Sequence, residues 1–310
     1  MIEVVALSDV MREVLRLAER VAATDANVLV TGESGTGKDA LASFIHARSL
    51  RAMSAFVKID CGALPGELLE AELFGYERGA FTGATEARPG RLEAAQCGTI
   101  VLDEIAHLST DAQAKLLRVI EEREFERLGG RRTIKVEARL IALTNVDLDD
   151  AVRRRAFRED LFYRLNVVRL HVPPLRERRE DIEELARSFL KTYATKHGRA
   201  VKGISPEALQ ILMMYEFPGN VRELANTIER ALIVAEGKKI QATDLPESLR
   251  ASVTMQKRVK QRQTLAELEA DYIAETLEFV KGNKSEAARL LGISRKNLYE
   301  KLARYRRDEG

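Results

Sequence analysis

The chain has 310 residues, 45% of them hydrophobic and 32% charged, with a formal net charge of +2. That length allows one large domain with a sizeable core plus one or two small ones, and the near-neutral balance argues neither for nor against a nucleic-acid partner. No apolar run approaches the ~18 residues of a membrane span, the opening Met1-Ile2-Glu3 is no basic leader, and Cys61 and Cys97 have neither metal-type nor disulfide-framework spacing. The expectation is a soluble, cytoplasmic protein with no membrane partner, and the scattered His46, His107, His171 and His197 read as structural.

In chain order, NVLVT (27–31), FVKID (56–60), GTIVLD (98–103), ARLIALT (138–144) and NVVRLHV (166–172) have the composition of buried strands. Helical periodicity fills the intervals, most clearly at 111–122. This alternation predicts an α/β fold with a parallel sheet covered on both faces. After Pro173-Pro174 the pattern is helical to about Ala235, broken near Gly198–Gly203 and at Phe217-Pro218-Gly219, which predicts a small helical subdomain. Residues 251–263 carry four basic side chains and no acid and read as a linker.

Gly32-Glu33-Ser34-Gly35-Thr36-Gly37-Lys38 follows the first strand and precedes a helix, the context a P-loop requires. Backbone N–H groups of such a loop wrap phosphates, the helix N-terminus adds partial positive charge, and Lys38 reaches the outer phosphates. Position 39 is Asp, where the generic pattern offers a hydroxyl to Mg²⁺. Downstream, the strand Thr99-Ile100-Val101-Leu102 runs into Asp103-Glu104. Asp103 is expected to hold Mg²⁺ through water and Glu104 to polarise the attacking water. Thr144-Asn145 ends a neighbouring strand, where an amide can sense the outer phosphate. The pattern predicts binding and hydrolysis of a nucleoside triphosphate.

A different feature is Gly79-Ala80-Phe81-Thr82-Gly83-Ala84, one ring and one hydroxyl among small residues. The glycines deny it a stable helix or strand. Either Phe81 folds back into a core, or the loop exists to touch something else. A further hairpin is expected at 125–132, supporting this loop.

Charge splits at the end of the chain: 264–280 holds five acids and no base, and 281–307 holds nine Lys/Arg against two Glu. Asn283 is a helix cap with Glu286 three residues on, Ala287, Ala288, Leu290 and Leu291 give an apolar side, and Gly292 makes a turn. Ser294 caps the next helix, whose Leu298, Leu302 and Tyr305 are expected to face inward. That leaves Arg295, Lys296, Asn297, Tyr299 and Lys301 outward, as a recognition helix presents them to a DNA major groove. Leu265, Leu268, Ile273 and Leu277 suggest a dimerisation helix and hence palindromic sites.

Taken together, GESGTGKD, ELFGYERGAFTGA, GTIVLDEI, RLIALTN, FREDLFYRLNVV and FPGNVREL resemble, in order, the AAA+ domain of bacterial sigma-54-dependent transcriptional activators. GNKSEAARLLGISRKNLYEKLARY resembles their Fis-type helix-turn-helix. The resemblance implies an AAA+ core at 1–172, a helical lid at 173–246, a linker at 247–263 and a DNA-binding domain at 264–310. It implies an ATP- and Mg²⁺-dependent ATPase that remodels the sigma-54 RNA polymerase closed complex while bound to upstream double-stranded DNA, assembling from a dimer to a hexamer ring.

By position, the resemblance gives Gly32 to Asp39 the nucleotide and Arg222 the second sensor on the lid. Arg158 and Arg164 become arginine fingers entering a neighbouring subunit, and Gly79–Ala84 the sigma-54 contact. Asp60 stands where the family commonly has the Asn that restrains the catalytic Glu; a carboxylate cannot donate to Glu104 unless one of the pair is protonated, so an altered switch is expected. With the P-loop starting about thirty residues in, no room is left for a regulatory domain ahead of it, which leaves three alternatives: a regulatory protein in trans, control by expression level, or a sequence truncated from a longer chain. A repressor using ATP only for oligomerisation is the rival reading, expected to carry a degraded GAFTGA; a clamp loader or unfoldase fits neither the loop nor the helix-turn-helix.

Overall fold

Five strands with β-branched cores assemble one parallel sheet: β1 (Val28–Thr31), β2 (Phe56–Asp60), β3 (Thr99–Asp103), β4 (Arg139–Thr144) and β5 (Val168–His171). Their spatial order in this computed structural model is β2-β3-β4-β1-β5, every neighbouring pair parallel. The structure describes residues 4–251, 253, 265–280 and 282–308, with side chains described at all but 265–268, 271 and 303–308. The chain divides into two units, Met1–Pro246 and Glu247–Gly310.

Alternation along each strand sends side chains to two separate cores. Leu29, Ile59, Ile100, Leu102, Leu140 and Ala142 pack to one side with helix Thr110–Glu122 and helix Glu159–Leu165. Val28, Val30, Val101, Ile141, Leu143 and Leu170 pack to the other with helices Asp9–Ala22 and Lys38–Ala47. The sheet is thus covered on both faces. Not every strand is buried, contrary to the reading of the sequence. β2 and β5 are the edges, and most of their side chains are at least partly exposed. Their alternating charged residues, Lys58 and Asp60 in one and Arg169 and His171 in the other, are the sequence trace of that edge position.

Beyond β5 the first unit is helical, at Glu180–His197, Pro206–Met214 and Asn220–Val234. The second unit has helices Leu265–Phe279, Lys284–Leu290 and Arg295–Asp308 around a small core of Ile273, Ala287, Ala288 and Leu298, with Leu277, Leu291 and Leu302 packed against it. Leu290 departs from expectation. It is 51% exposed, because the turn at Gly292 (φ +68°) follows immediately and Leu291 fills the inward position. The expected inward placement of Leu265, Leu268 and Tyr305 lies outside the described side chains. Among the described residues no helix is long and apolar enough to cross a membrane. Each of the four histidines is held by a protein partner: His46 by Thr99, His107 by the Glu104 carbonyl, His171 by Thr31 and His197 by Glu229.

One buried charge ties the sheet to the first helix. Arg139 at the start of β4 is 1% exposed and donates to the carbonyls of Val21 (2.9 Å), Ala22 (3.2 Å) and Ala26 (3.3 Å). These include last-turn carbonyls that have no partner within the helix. Arg139→Ala removes all three of these hydrogen bonds at once and opens a cavity at a fully buried site, so unfolding in urea should show a stability loss of about 3 kcal/mol with an unchanged m-value.

Candidate functional site

The carboxyl ends of β1, β3 and β4 are adjacent, so the loops that leave them face one cleft. The loop after β1 carries Gly32–Gly37 into helix Lys38–Ala47. Lys38 is buried, and its Nζ donates to the carbonyls of Gly32 (2.9 Å) and Glu33 (3.1 Å), curling the side chain inside its own loop. Burial pulls its pKa below the ordinary lysine value, opposed by Glu104 and Asp103. A cleft of about 230 Å³ is bordered by Ser34, Gly35, Gly37, Lys38, Asp39, Asp103, Glu104 and Arg222. Eight of the residues singled out from sequence therefore meet in one place, with Phe189, Val221 and Ala225 of the helical segment forming an apolar side. Thr36 lies buried beneath the loop, its hydroxyl donating to the Glu33 carbonyl.

Asp103 accepts from the Glu104 N–H at 3.0 Å on one oxygen and from Lys58 Nζ at 2.8 Å on the other. Glu104 has φ +54°, a left-handed backbone that a β-strand excludes and that turns its side chain out of the strand line. Its Oε2 is buried without a hydrogen-bond partner. Two carboxylates, one of them unsatisfied, thus stand opposite a P-loop lysine. Asp60 lies beside Asp103 in register, and its Oδ1 accepts from Gly62 N at 2.9 Å, an intrastrand-end turn made by the carboxylate itself. Asn145 is exposed just past β4. Lys58 was not foreseen from sequence. Its only signal there is a lone cation inside FVKID. Its Nζ joins Asp103 to Asp39 (2.5 Å), and these two bonds outweigh partial burial and raise its pKa.

The helical segment closes on the loop through FPGNVREL. Asn220 is fully buried at φ +53°. Its amide donates to the Ser34 carbonyl (3.0 Å) and Glu33 Oε2 (3.1 Å), while its Oδ1 accepts from Leu175 N (2.8 Å). Arg222 donates to Ser34 Oγ (3.0 Å) and its N–H to the Gly35 carbonyl. A Cβ at Gly35 would sit 2.5 Å from the Gly219 carbonyl oxygen, so only glycine permits this approach. Arg178, also buried, reaches the Thr36 carbonyl, and Arg176 pairs with Glu33 at 2.6 Å. Asn220 sits inside a motif that was recognised. Arg176 and Arg178 lie in a charged run, LRERRED, with no motif of its own to single them out.

Family comparisons agree with this geometry. Residues 4–171 match the sigma-54 interaction domain, 176–262 the AAA+ ATPase lid domain and 264–305 the Fis family of bacterial regulatory proteins. The chain belongs to the sigma-54 interaction domain family. It is 46% identical over 306 residues to the regulatory protein AtoC of Escherichia coli K12, covering 96% of this chain and 66% of that one. It is 44% identical over 311 residues to the transcriptional regulatory protein FlbD of Caulobacter vibrioides, covering 95% and 68%. Among solved structures, NtrX from Brucella abortus in complex with ADP matches with TM-score 0.75 and 34% identity over 97% of this chain and 69% of NtrX. The chain thus spans about two thirds of the length of the relatives it matches. The fold is that of AAA+ proteins with a helical lid and a C-terminal helix-turn-helix.

In this sigma-54 family member the GAFTGA loop leaves strand pair Gly75–Tyr76 and Arg88–Pro89. Gly79 N donates to the Ala84 carbonyl (2.8 Å) and Ala84 N to that of Phe81 (3.0 Å), closing the loop on itself. Phe81 answers neither alternative completely. Its ring rests edge-on against Tyr76 at 5.0 Å between centroids, yet the residue remains 38% exposed. The hairpin of Glu124–Glu126 and Thr133–Lys135 supports the loop as expected. Tyr76 bridges to Leu128, and Arg127 pairs with both Glu93 (2.7 Å) and Glu77 (3.1 Å). Arg158 and Arg164 do not border the cleft; on the exposed face they pair with Asp160 and Glu121.

At the second unit, Asn283 Oδ1 accepts from Ser285 and Glu286 N–H groups and Ser294 Oγ from Asn297 N–H. Arg295, Lys296, Asn297 and Tyr299 are exposed in the first two turns of the last helix, with Lys284 Nζ 4.8 Å from the Tyr299 ring centre. Lys301 is placed differently from these. It pairs with Glu269 of the helix Leu265–Phe279 at 2.7 Å and is about one quarter exposed, so it braces the helices.

The Arg176 and Asn220 hydrogen bonds bring the Glu33 carboxyl down to about 2 from its ordinary 4.5. The folded state therefore holds the proton less tightly than the unfolded one. The contribution is complete above pH 4.5 and fades as pH falls toward 2. Both side chains are about two fifths exposed, so solvent screening limits the effect to about 1 kcal/mol or less. Glu33→Gln should lower the urea midpoint at pH 7, and the gap from wild type should narrow at pH 3.

Proposed function

We propose that this protein is an ATP-dependent transcriptional activator that binds upstream DNA and remodels the sigma-54 RNA polymerase closed complex. The observation that carries the reading is the single cleft in which Lys38, Asp103, Glu104 and Arg222 converge. ATP binds with its phosphates along Gly32–Gly37 and Lys38. Glu104 is the acceptor for a proton of the attacking water, and its unsatisfied buried oxygen supports that role. Asn145 orients the outer phosphate, and Arg222 reports its state to the lid.

The donor set suits Mg²⁺. Hard carboxylate oxygens stand beside a phosphate loop, and such sites ordinarily use one or two protein carboxylates, leaving the remaining positions to water and phosphates. Asp103 is the residue that would hold the ion. The ion would supply charge neutralisation on the phosphate oxygens.

Arg158 and Arg164 act in a neighbouring subunit of a homo-oligomer, dimer to hexamer ring, since their exposed positions suit reaching outward. Exposed Phe81 and Thr82 contact sigma-54, and the hairpin behind them passes nucleotide state to the loop. Ser294, Arg295, Lys296, Asn297 and Tyr299 face palindromic double-stranded DNA, with Lys301 holding the recognition helix in place. The cytoplasm is the compartment.

The reading is tested by counting heparin-resistant open complexes formed by sigma-54 RNA polymerase on a supercoiled promoter. The wild-type chain should produce them with ATP and not with a non-hydrolysable analogue. Lys38→Ala should cut both turnover and open complexes by about 100-fold or more. Brisk hydrolysis without open complexes would turn the reading toward the repressor.

A further inference from the structure

Lys58 is not a member of the P-loop or of the acid pair, yet its side chain touches both. It leaves edge strand β2 one alternation before Asp60, its side chain 37% exposed. Its Nζ lies 2.8 Å from Asp103 Oδ2 and 2.5 Å from Asp39 Oδ1. The other oxygen of Asp103 already accepts from the Glu104 N–H. Both Asp103 oxygens are therefore engaged, and the one not tied to the backbone is held by an ammonium. Any divalent cation that approaches Asp103 meets a positive charge on that same oxygen. Lys38 and Arg222 add positive charge to the same cleft.

We propose that Lys58 is a positioning residue that bridges Asp39 to Asp103 and competes with the divalent cation for Asp103, so that it sets how much Mg²⁺ the site requires. This rests on reading the cleft as a nucleotide site. Asp39 has its own part in the arrangement: where P-loops usually place a hydroxyl, this chain places a carboxylate that draws Lys58 toward the phosphate loop. The lysine thereby ties the helix that follows the P-loop to the strand pair carrying the acids. Like charges at such separation repel strongly where water is partly excluded, and removing one lowers the energy of the other. Because β2 is an edge strand and Lys58 is partly exposed, a neutral side chain of similar length can replace it without opening a core cavity.

The experiment uses the full chain and a fluorescent ADP analogue. Its affinity is first measured in EDTA, then Mg²⁺ or Mn²⁺ is titrated to half-maximal effect. Lys58→Met should leave the EDTA affinity near wild type and lower the half-saturating Mg²⁺ concentration about threefold to tenfold. Lys58→Arg, which keeps the charge, should stay near wild type. An unchanged or higher Mg²⁺ requirement in Lys58→Met would overturn the proposal, since the lysine would then be inert or would hold Asp103 ready for the ion. Circular dichroism checks folding, and Lys58→Gln gives the same comparison if the methionine variant is unstable. Failure of the wild type to bind the analogue under any condition would instead overturn the nucleotide reading, and this inference with it.

Discussion

The amide of Asn220 is the contact on which the arrangement of the first unit depends. A neutral side chain, fully buried, spends both donor and acceptor on two other segments: the P-loop at Glu33 and Ser34, and the turn at Leu175. A buried amide is stable only when so satisfied. Its left-handed φ is part of the same constraint, since the backbone must bend there for the helix Asn220–Val234 to start beside the phosphate loop. Arg222, two residues on, then falls against Ser34 without a separate device to aim it. The buried guanidinium of Arg178 holds the loop from below at Thr36. Lid and phosphate loop are in this way one hydrogen-bonded assembly.

The sheet supplies the other half of the geometry. Parallel order places the ends of β1, β3 and β4 side by side, so three loops distant in sequence converge without any of them being long. The same register sets Asp60 next to Asp103 and brings Lys58 from the sheet edge to the acids. The GAFTGA loop is built differently. It closes on short backbone hydrogen bonds and one ring contact, with a second hairpin braced by Arg127 behind it. A surface loop held by few contacts has little local stability, which suits the proposed role of a loop that moves with nucleotide state.

How much of this was legible follows from how local each cause is. All five strands and the helix read at 111–122 carry their own periodicity, and the structure places them within one or two residues of the sequence reading. The P-loop and Asp103-Glu104 are legible because their motifs encode geometry directly, glycines for phosphate approach and acids at a strand end, whereas Arg222 comes only with the family resemblance. In β2 and β5 the edge position shows only as alternating charged residues, a weaker signal than their apolar content, so both read as buried. Lys58, Arg176 and Arg178 were missed for a related reason. Each is an ordinary basic residue in its own segment, and its partner lies elsewhere in the fold. Lys301 shows the converse, since a recognition-helix lysine looks free until Glu269 is seen opposite it.

The most direct test of the central claim is capture of purified sigma-54 factor by this chain in ADP with aluminium fluoride, which imitates the transferring phosphoryl group. Thr82→Ala is run beside wild type, with ATP turnover recorded for both. The account expects stable capture by wild type alone, with turnover retained in the variant, because Thr82 lies on the exposed loop and outside the cleft. Equal capture by the variant, or none by a wild-type chain that hydrolyses ATP briskly, would contradict the assignment of that loop as the coupling surface.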